Sequence, residues 1–353
     1  MDPFNSKFIL KEKRWLWIDY DKGISIILVG YGHCMAILSG HIPDLEPHSF
    51  FRYFGIFFYG FRMPLFFIIS GLLISRSLNK KGINSYIGDR TNNILYPLLI
   101  WGFIEITLQL IAGRFTNFTH NNDRTAMAYL QLIIDPRETN AFWYLNALFC
   151  IGVIYAVLKS RFKLTAMAQF GIGVVFYVIS AYIHMYGVGF NPGFTTDIFE
   201  YYIFFALGDV ISKVMLDEKN VQRFSTWKVF VPLLLAFCIV QYFCTEINLR
   251  PSSSAERFVE VKMPYLFLLE ALVGCATSVS FSFLLQKYKV FTWLRVVGYH
   301  SLFIYCMQII VMTIMRIFLQ SFLHIDYVPA LILLIWTTGV AFPIFIYNLA
   351  LRY

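Results

Sequence analysis

Ten stretches of this chain, at about 23–40, 54–74, 93–112, 141–158, 164–186, 198–216, 229–247, 263–285, 298–319 and 328–350, are apolar over the length needed to cross a bilayer core about 30 Å thick. Lipid offers no partners to backbone N–H and C=O groups, so runs of this length are helices. With 58% hydrophobic and 14% charged residues, the 353-residue chain has too little polar surface to coat a soluble globule. The expected fold class is all-α, a polytopic membrane helical bundle of about ten transmembrane helices.

An even number of spans puts both termini on one side. With the N-terminus inside, twenty of the twenty-nine Lys and Arg residues fall in cytoplasmic segments and seven in outer loops, while Arg62 and Arg316 lie within spans. That asymmetry predicts cytoplasmic termini and a multi-pass protein of the plasma (inner) membrane. The net charge of +8 is then topological and implies no nucleic acid. MDPFNSKFILKEKRW has no apolar core ahead of its basic cluster, so the first span is expected to serve as the insertion signal. No linker or repeat divides the chain, which reads as a single domain with no fused soluble domain. The outer loops at about 113–140 and 248–262, with NFTHNNDR and RPSSSAER, are solvated connectors that could cover an outer-face site. The six cysteines lie singly in apolar stretches and carry no redox or metal signal.

DYDKGISIILVGYGH, residues 19–33, holds a cation and an imidazole on one helix. Lys22 and His33 are about three turns apart, within roughly 20° on one face and about 16 Å along the axis. If Lys22 sits at the interface, His33 lies near the midplane, where an ionisable side chain marks a functional site. Read alone, Lys22 is an ordinary interfacial flank and the glycines at 23, 30 and 32 are helix-packing positions.

Arg62, in FRMPLFFIISG, is expected about halfway along the second span, with Pro64 freeing a carbonyl and bending the helix. A buried guanidinium needs an anion. Glu105 in the third span, Glu270 in the eighth, or a ligand's phosphate or carbonyl would serve, as a structural pair or as a ligand contact. The remaining histidines are scattered, with no HExxH, and no GxSxG, P-loop or dinucleotide fingerprint is present. Tyr201, Tyr202 and Phe204 could stack on a sugar, although aromatics routinely fill membrane cores.

The sequence from Asp19-Tyr20-Asp21-Lys22-Gly23 to His33, followed by Met63-Pro64-Leu65-Phe66-Phe67 and Ser70-Gly71, resembles the acyltransferase-3 family of integral membrane acyltransferases. So do Arg90 ahead of Leu95-Tyr96-Pro97 and Trp101, Trp143-Tyr144-Leu145, and Gly298-Tyr299-His300-Ser301-Leu302 with Ile304-Tyr305. The order of these pieces over roughly 15–310 is similar to the fucose 4-O-acetylase-like branch.

That resemblance implies transfer of an acyl group, usually acetyl from acetyl-CoA on the cytoplasmic side, to a hydroxyl of a sugar or glycan intermediate. It implies that His33 is the essential first-helix histidine. It also implies that Lys22, where the family more often has Arg, contacts the donor together with Asp19 and Arg90. The sequence departs from the pattern at Arg62 and Gln308, where many relatives have His, and at Asn93, where a second Arg is frequent. On this reading His33 is general base, Arg62 stabilises the developing oxyanion, and Glu105 or Glu270 orients or charge-compensates the centre. Acyl-CoA, a glycan acceptor and membrane lipids are the expected partners, with no metal. A multi-spanning transporter or flippase for a glycan or small anionic solute is the alternative, and a non-catalytic membrane scaffold is a third reading.

Overall fold

In the computed structural model, residues 9–10, 15–39, 49–115, 125–138, 142–187, 193–250 and 257–350 are described. Residues 116–124 and 139–140 of the 113–140 loop, the PSSSAE stretch of the 248–262 loop and the basic N-terminal segment lie outside them. The described residues form helices and no strands. Among the described residues, eight segments are long and apolar enough to cross a membrane. One of them, Phe50–Ala112, covers two of the ten sequence windows. The helix Phe194–Met215 is not among the eight because it carries Asp197, Glu200, Asp209 and Lys213.

The chain forms two compact units, Met1–Phe66 with Leu216–Tyr353, and Phe67–Met215. The first unit is built on α1 (Leu16–Ser39) and includes α2 (Phe50–Phe57) and the start of α3 (Arg62–Arg90). The second holds the rest of α3, then α4 (Tyr96–Phe115), α5 (Ala128–Ile134), α6 (Trp143–Arg161), α7 (Ala166–Tyr186) and α8 (Phe194–Met215). The chain returns to the first unit with α9 (Glu218–Phe224), α10 (Trp227–Asn248), α11 (Phe258–Lys262), α12 (Pro264–Tyr288), α13 (Trp293–Tyr299), α14 (Ser301–Ile317) and α15 (Val328–Ala350).

In the first unit α1 is the hub, packed against α2, α12, α13, α14 and α15. Small residues allow this. A Cβ on Gly23 would strike the main-chain oxygen of Leu294, and one on Gly298 would strike that of Asp19, so α1 and α13 meet backbone to backbone. Further along α1, Tyr31, Cys34 and Leu38 enter a core with Met312, Leu319, Leu331, Ile332 and Ile335. There Trp336 lies edge-on to Tyr31 and donates from Nε1 to Ile27 O at 2.9 Å.

In the second unit α8 packs on α6 and α7. A Cβ on Gly71 of α3 would overlap Phe205 O, and one on Gly208 would overlap Ile68 O, which brings α3 and α8 into the same close contact. Lys159 bonds Ser75 Oγ at 2.5 Å and pairs with Asp209, whose carboxylate also accepts from Tyr155 Oη at 2.7 Å and from Ser75. Three partners satisfy one buried anion, as a charge inside a bundle requires. Phe103, Leu108 and Ile111 of α4 stay exposed, as a lipid-facing surface requires.

Two expectations need correction. The second window breaks at Phe58–Phe61, so Arg62 opens α3 and does not lie halfway along a helix. Pro64 then falls in a first turn, where its missing N–H costs no intrahelical bond and needs no bend. Arg90, ahead of Leu95-Tyr96-Pro97, is the last residue of α3, which continues through a π-helical turn at Thr91–Leu95. Within α3 the helix is interrupted at Gly82, whose φ of 75° and ψ of 170° suit only glycine.

Candidate functional site

The site is built on the C-terminal half of α1. His33 is half-buried, and among the described residues no group hydrogen-bonds its ring. His300 is the contrast: fully buried, it meets Val296 O through Nδ1 at 2.8 Å and Asn348 Nδ2 through Nε2 at 3.2 Å. Donation from Nδ1 to the carbonyl fixes the tautomer and leaves Nε2 to accept from the amide. Both nitrogens of His300 are committed to structure, whereas those of His33 are open to a ligand.

Arg62 comes to α1 from the start of α3. Ser25 Oγ donates to Arg62 O at 2.7 Å, and Arg62 Nη1 donates to Leu28 O at 2.7 Å. The guanidinium lies against Gly32, where a Cβ would overlap Nη1. Leu28 and Gly32 are four apart and share a face, and His33 is the next residue, about 100° around the helix. The imidazole and the cation are therefore neighbours on one turn.

Behind the guanidinium, the Tyr59 ring centroid is 5.0 Å from Cζ, and Tyr59 Oη donates to Glu260 Oε2 at 2.6 Å. Glu260 also accepts from Arg257 Nε at 2.7 Å. Glu270 does not supply Arg62's expected anion. Its carboxylate abuts Gly60, and its Oε1 accepts at 3.0 Å from the Gln241 amide, oriented so that the same nitrogen reaches Phe57 O at 2.8 Å. Glu270 thus fastens α12 to α10 and to the turn before Arg62. Arg62 is held by a main-chain oxygen and an aromatic face, with Glu260 beyond the ring.

Lys22 is half-buried and Asp19 buried on the same helix. The oxygen that Gly298 approaches belongs to Asp19, so the motifs around residues 19–23 and 298–302 meet in space. Between Asp19 and Lys22, Asp21 is fully buried and accepts from Ser278 Oγ at 2.5 Å and Ser282 Oγ at 3.1 Å. Sequence reasoning assigned Asp21 no part. The two serines, four apart on one face of α12, were the available signal.

Arg90 and Glu105 belong to the second unit. Arg90 donates from Nε to Tyr86 Oη at 2.8 Å and stacks over the Tyr86 ring at 5.1 Å, with Gly152 leaving room beside it. Glu105, buried on α4, accepts from Gln109 Nε2 at 3.0 Å. Phe67 stacks on Tyr201 at 4.8 Å, and Trp143 lies 5.2 Å from the same ring, so Tyr201 is an internal packing residue. Among the described residues no three His, Cys, Asp or Glu side chains are grouped to hold a metal.

Residues 15–346 match the acyltransferase domain family. The chain belongs to the acyltransferase-3 family. The match runs through both units and includes Asp19, Lys22, His33, Arg62, Arg90, Glu105 and Glu270. Among curated relatives of this chain, the nodulation protein NolL of Sinorhizobium fredii is 29% identical over 61% of the chain and 56% of its own length. NolL of Mesorhizobium japonicum is 37% identical over 27% of the chain and 25% of its own. The inner membrane protein YcfT of Escherichia coli is 33% identical over 26% and 27%. The chain thus spans about half, or about a quarter, of the length of these relatives. No solved structure matches it.

Proposed function

We propose that this membrane acyltransferase moves an acyl group, acetyl in the simplest case, from cytoplasmic acetyl-CoA to a hydroxyl of a cell-surface polysaccharide or lipid-linked glycan. The observation that carries the reading is an imidazole within a spanning helix that no described residue hydrogen-bonds, next to a guanidinium held on the same turn of α1. A transport path would use both charges too, but family membership favours acyl transfer. The uninterrupted match over 15–346 favours one acyltransferase domain working as a whole.

The donor arrives at the cytoplasmic end of α1, where Lys22, with Asp19 beside it, faces the CoA phosphates. The acyl end reaches toward His33. As the acceptor oxygen bonds the thioester carbon, His33 takes the hydroxyl proton, and charge gathers on the carbonyl oxygen near Arg62. The carbon–sulfur bond then breaks and the CoA sulfur leaves, receiving the proton from the imidazolium. Glu270 holds the turn that aims Arg62, and Glu105 serves the second unit. The relative named an inner membrane protein supports placement in the plasma (inner) membrane.

The test compares base-labile acyl groups on surface glycans of cells with the gene, without it, and with His33→Ala. Deletion and His33→Ala should both remove the ester while the variant still inserts. An unchanged ester content in either would overturn the reading.

A further inference from the structure

The buried face of α1 holds a polar group that the reaction above leaves unused. Gln308, on α14, is fully buried, and neither Nε2 nor Oε1 has a hydrogen-bond partner. An unmet polar group of this kind costs about 1–3 kcal/mol. His300, eight residues earlier, has both nitrogens bonded.

The position of the carboxamide is telling. Gln308 Oε1 lies 3.2 Å from the point where a Cβ on Gly30 would stand, with Met312 Cε and Val340 Cγ2 each 3.5 Å from that point. A larger residue than glycine at position 30 would crowd the amide. His33 is one turn beyond Gly30 and about 60° around, and helical side chains lean back toward the N-terminus, which carries the imidazole toward the level of Gly30. On its other side, at Gly32, is the Arg62 guanidinium. The base is thus flanked on one side by a guanidinium and on the other by the Gln308 carboxamide, whose Nε2 and Oε1 are both unbonded.

We propose that Gln308 is a second donor to the carbonyl oxygen of the acyl thioester, working opposite Arg62. This rests on the acyl-transfer reading and adds to it a residue that contacts the reacting group. As the acceptor oxygen bonds the carbonyl carbon, the carbonyl π electrons move to its oxygen, which the Gln308 N–H and the guanidinium stabilise by hydrogen bonds. The acceptor's proton goes to His33, and the carbon–sulfur electrons leave with the CoA sulfur. Gln308 gives up no proton, so it returns unchanged.

The test uses the full chain in lipid nanodiscs, with acetyl-CoA and glycan extracted from cells lacking the gene. Gln308→Leu keeps the size and removes both polar atoms. Its kcat should fall about 10²-fold, the effect of one oxyanion donor, with the KM for acetyl-CoA within about two-fold. Its melting temperature should hold or rise, because an unmet polar group has gone. Gln308→His, which keeps an N–H, should recover at least about ten-fold of the lost rate. A Gln308→Leu kcat within about three-fold of the native value overturns the assignment. So does an equal loss in Gln308→His, which would mark a packing role. If Gln308→Leu does not accumulate, Gln308→Met is judged by the same limits. A native chain that transfers no acetyl removes both readings, whereas an active Gln308→Leu beside an active native chain removes this one alone.

Discussion

Arg62 Nη1 donates to the main-chain oxygen of Leu28 at 2.7 Å, and this bond holds the guanidinium against α1 five residues before His33. A main-chain oxygen cannot rotate away as a carboxylate can. The cation's position is therefore tied to the helix that carries the base.

Arg62→Lys keeps the charge and loses the planar group that lies over Tyr59 and reaches Leu28 together. The kcat for acyl transfer should fall about 10²-fold, with little change in the KM for acetyl-CoA. Steady-state kinetics of the purified chain decides it: a variant at full kcat would leave Arg62 a purely structural role.

Lys22→Glu reverses the charge about three turns from His33. The dissociation constant for acetyl-CoA, from calorimetry, should rise at least about ten-fold, and that rise should shrink in high salt. An unchanged constant would take Lys22 out of donor binding.

Gly298→Ala forces a methyl group into the main-chain oxygen of Asp19, and backbone cannot step aside. Overpacking of this kind costs about 1–3 kcal/mol, read as a lower melting temperature in detergent. Gly88→Ala, with no atom within 4 Å of the new carbon and an exposed place within α3, is the control and should hold or raise the melting temperature. Equal behaviour of the two would argue against the close approach of α1 and α13.

Lys159→Met strips Asp209 of its cation and leaves only the Tyr155 and Ser75 hydroxyls. A loss of about 3 kcal/mol is expected, because the buried charge stays while its partner goes. The double variant Lys159→Met with Asp209→Leu should recover much of it. If thermal unfolding shows the double variant worse than the single one, the pair contributes more than mutual neutralisation.

The spanning helices were legible because each is an uninterrupted apolar run, and α15 occupies the same residues as its window. Helix α1 begins at Leu16, seven residues before its window, because the Asp21 carboxylate is bonded by two serines of α12 and does not end the helix. Hydropathy counts a carboxylate as an interruption whatever its partners. The break before Arg62 was hidden for the opposite reason: Phe57, Phe58, Tyr59 and Phe61 continue the apolar signal through a turn. His33 and Lys22 could be read from helical spacing alone. The holding of Arg62 by a carbonyl and a ring, and the isolation of Gln308, depend on contacts between distant segments that no local pattern encodes.

Tyr59 is used at both ends, its ring under Arg62 and its hydroxyl on Glu260, which Arg257 grips in turn. The positional tolerance of the deep cation is therefore set in part by α11, a five-residue helix, as well as by its own anchor on α1. A sideways shift of α11 would be relayed through the Glu260 carboxylate and one rigid phenol to the guanidinium.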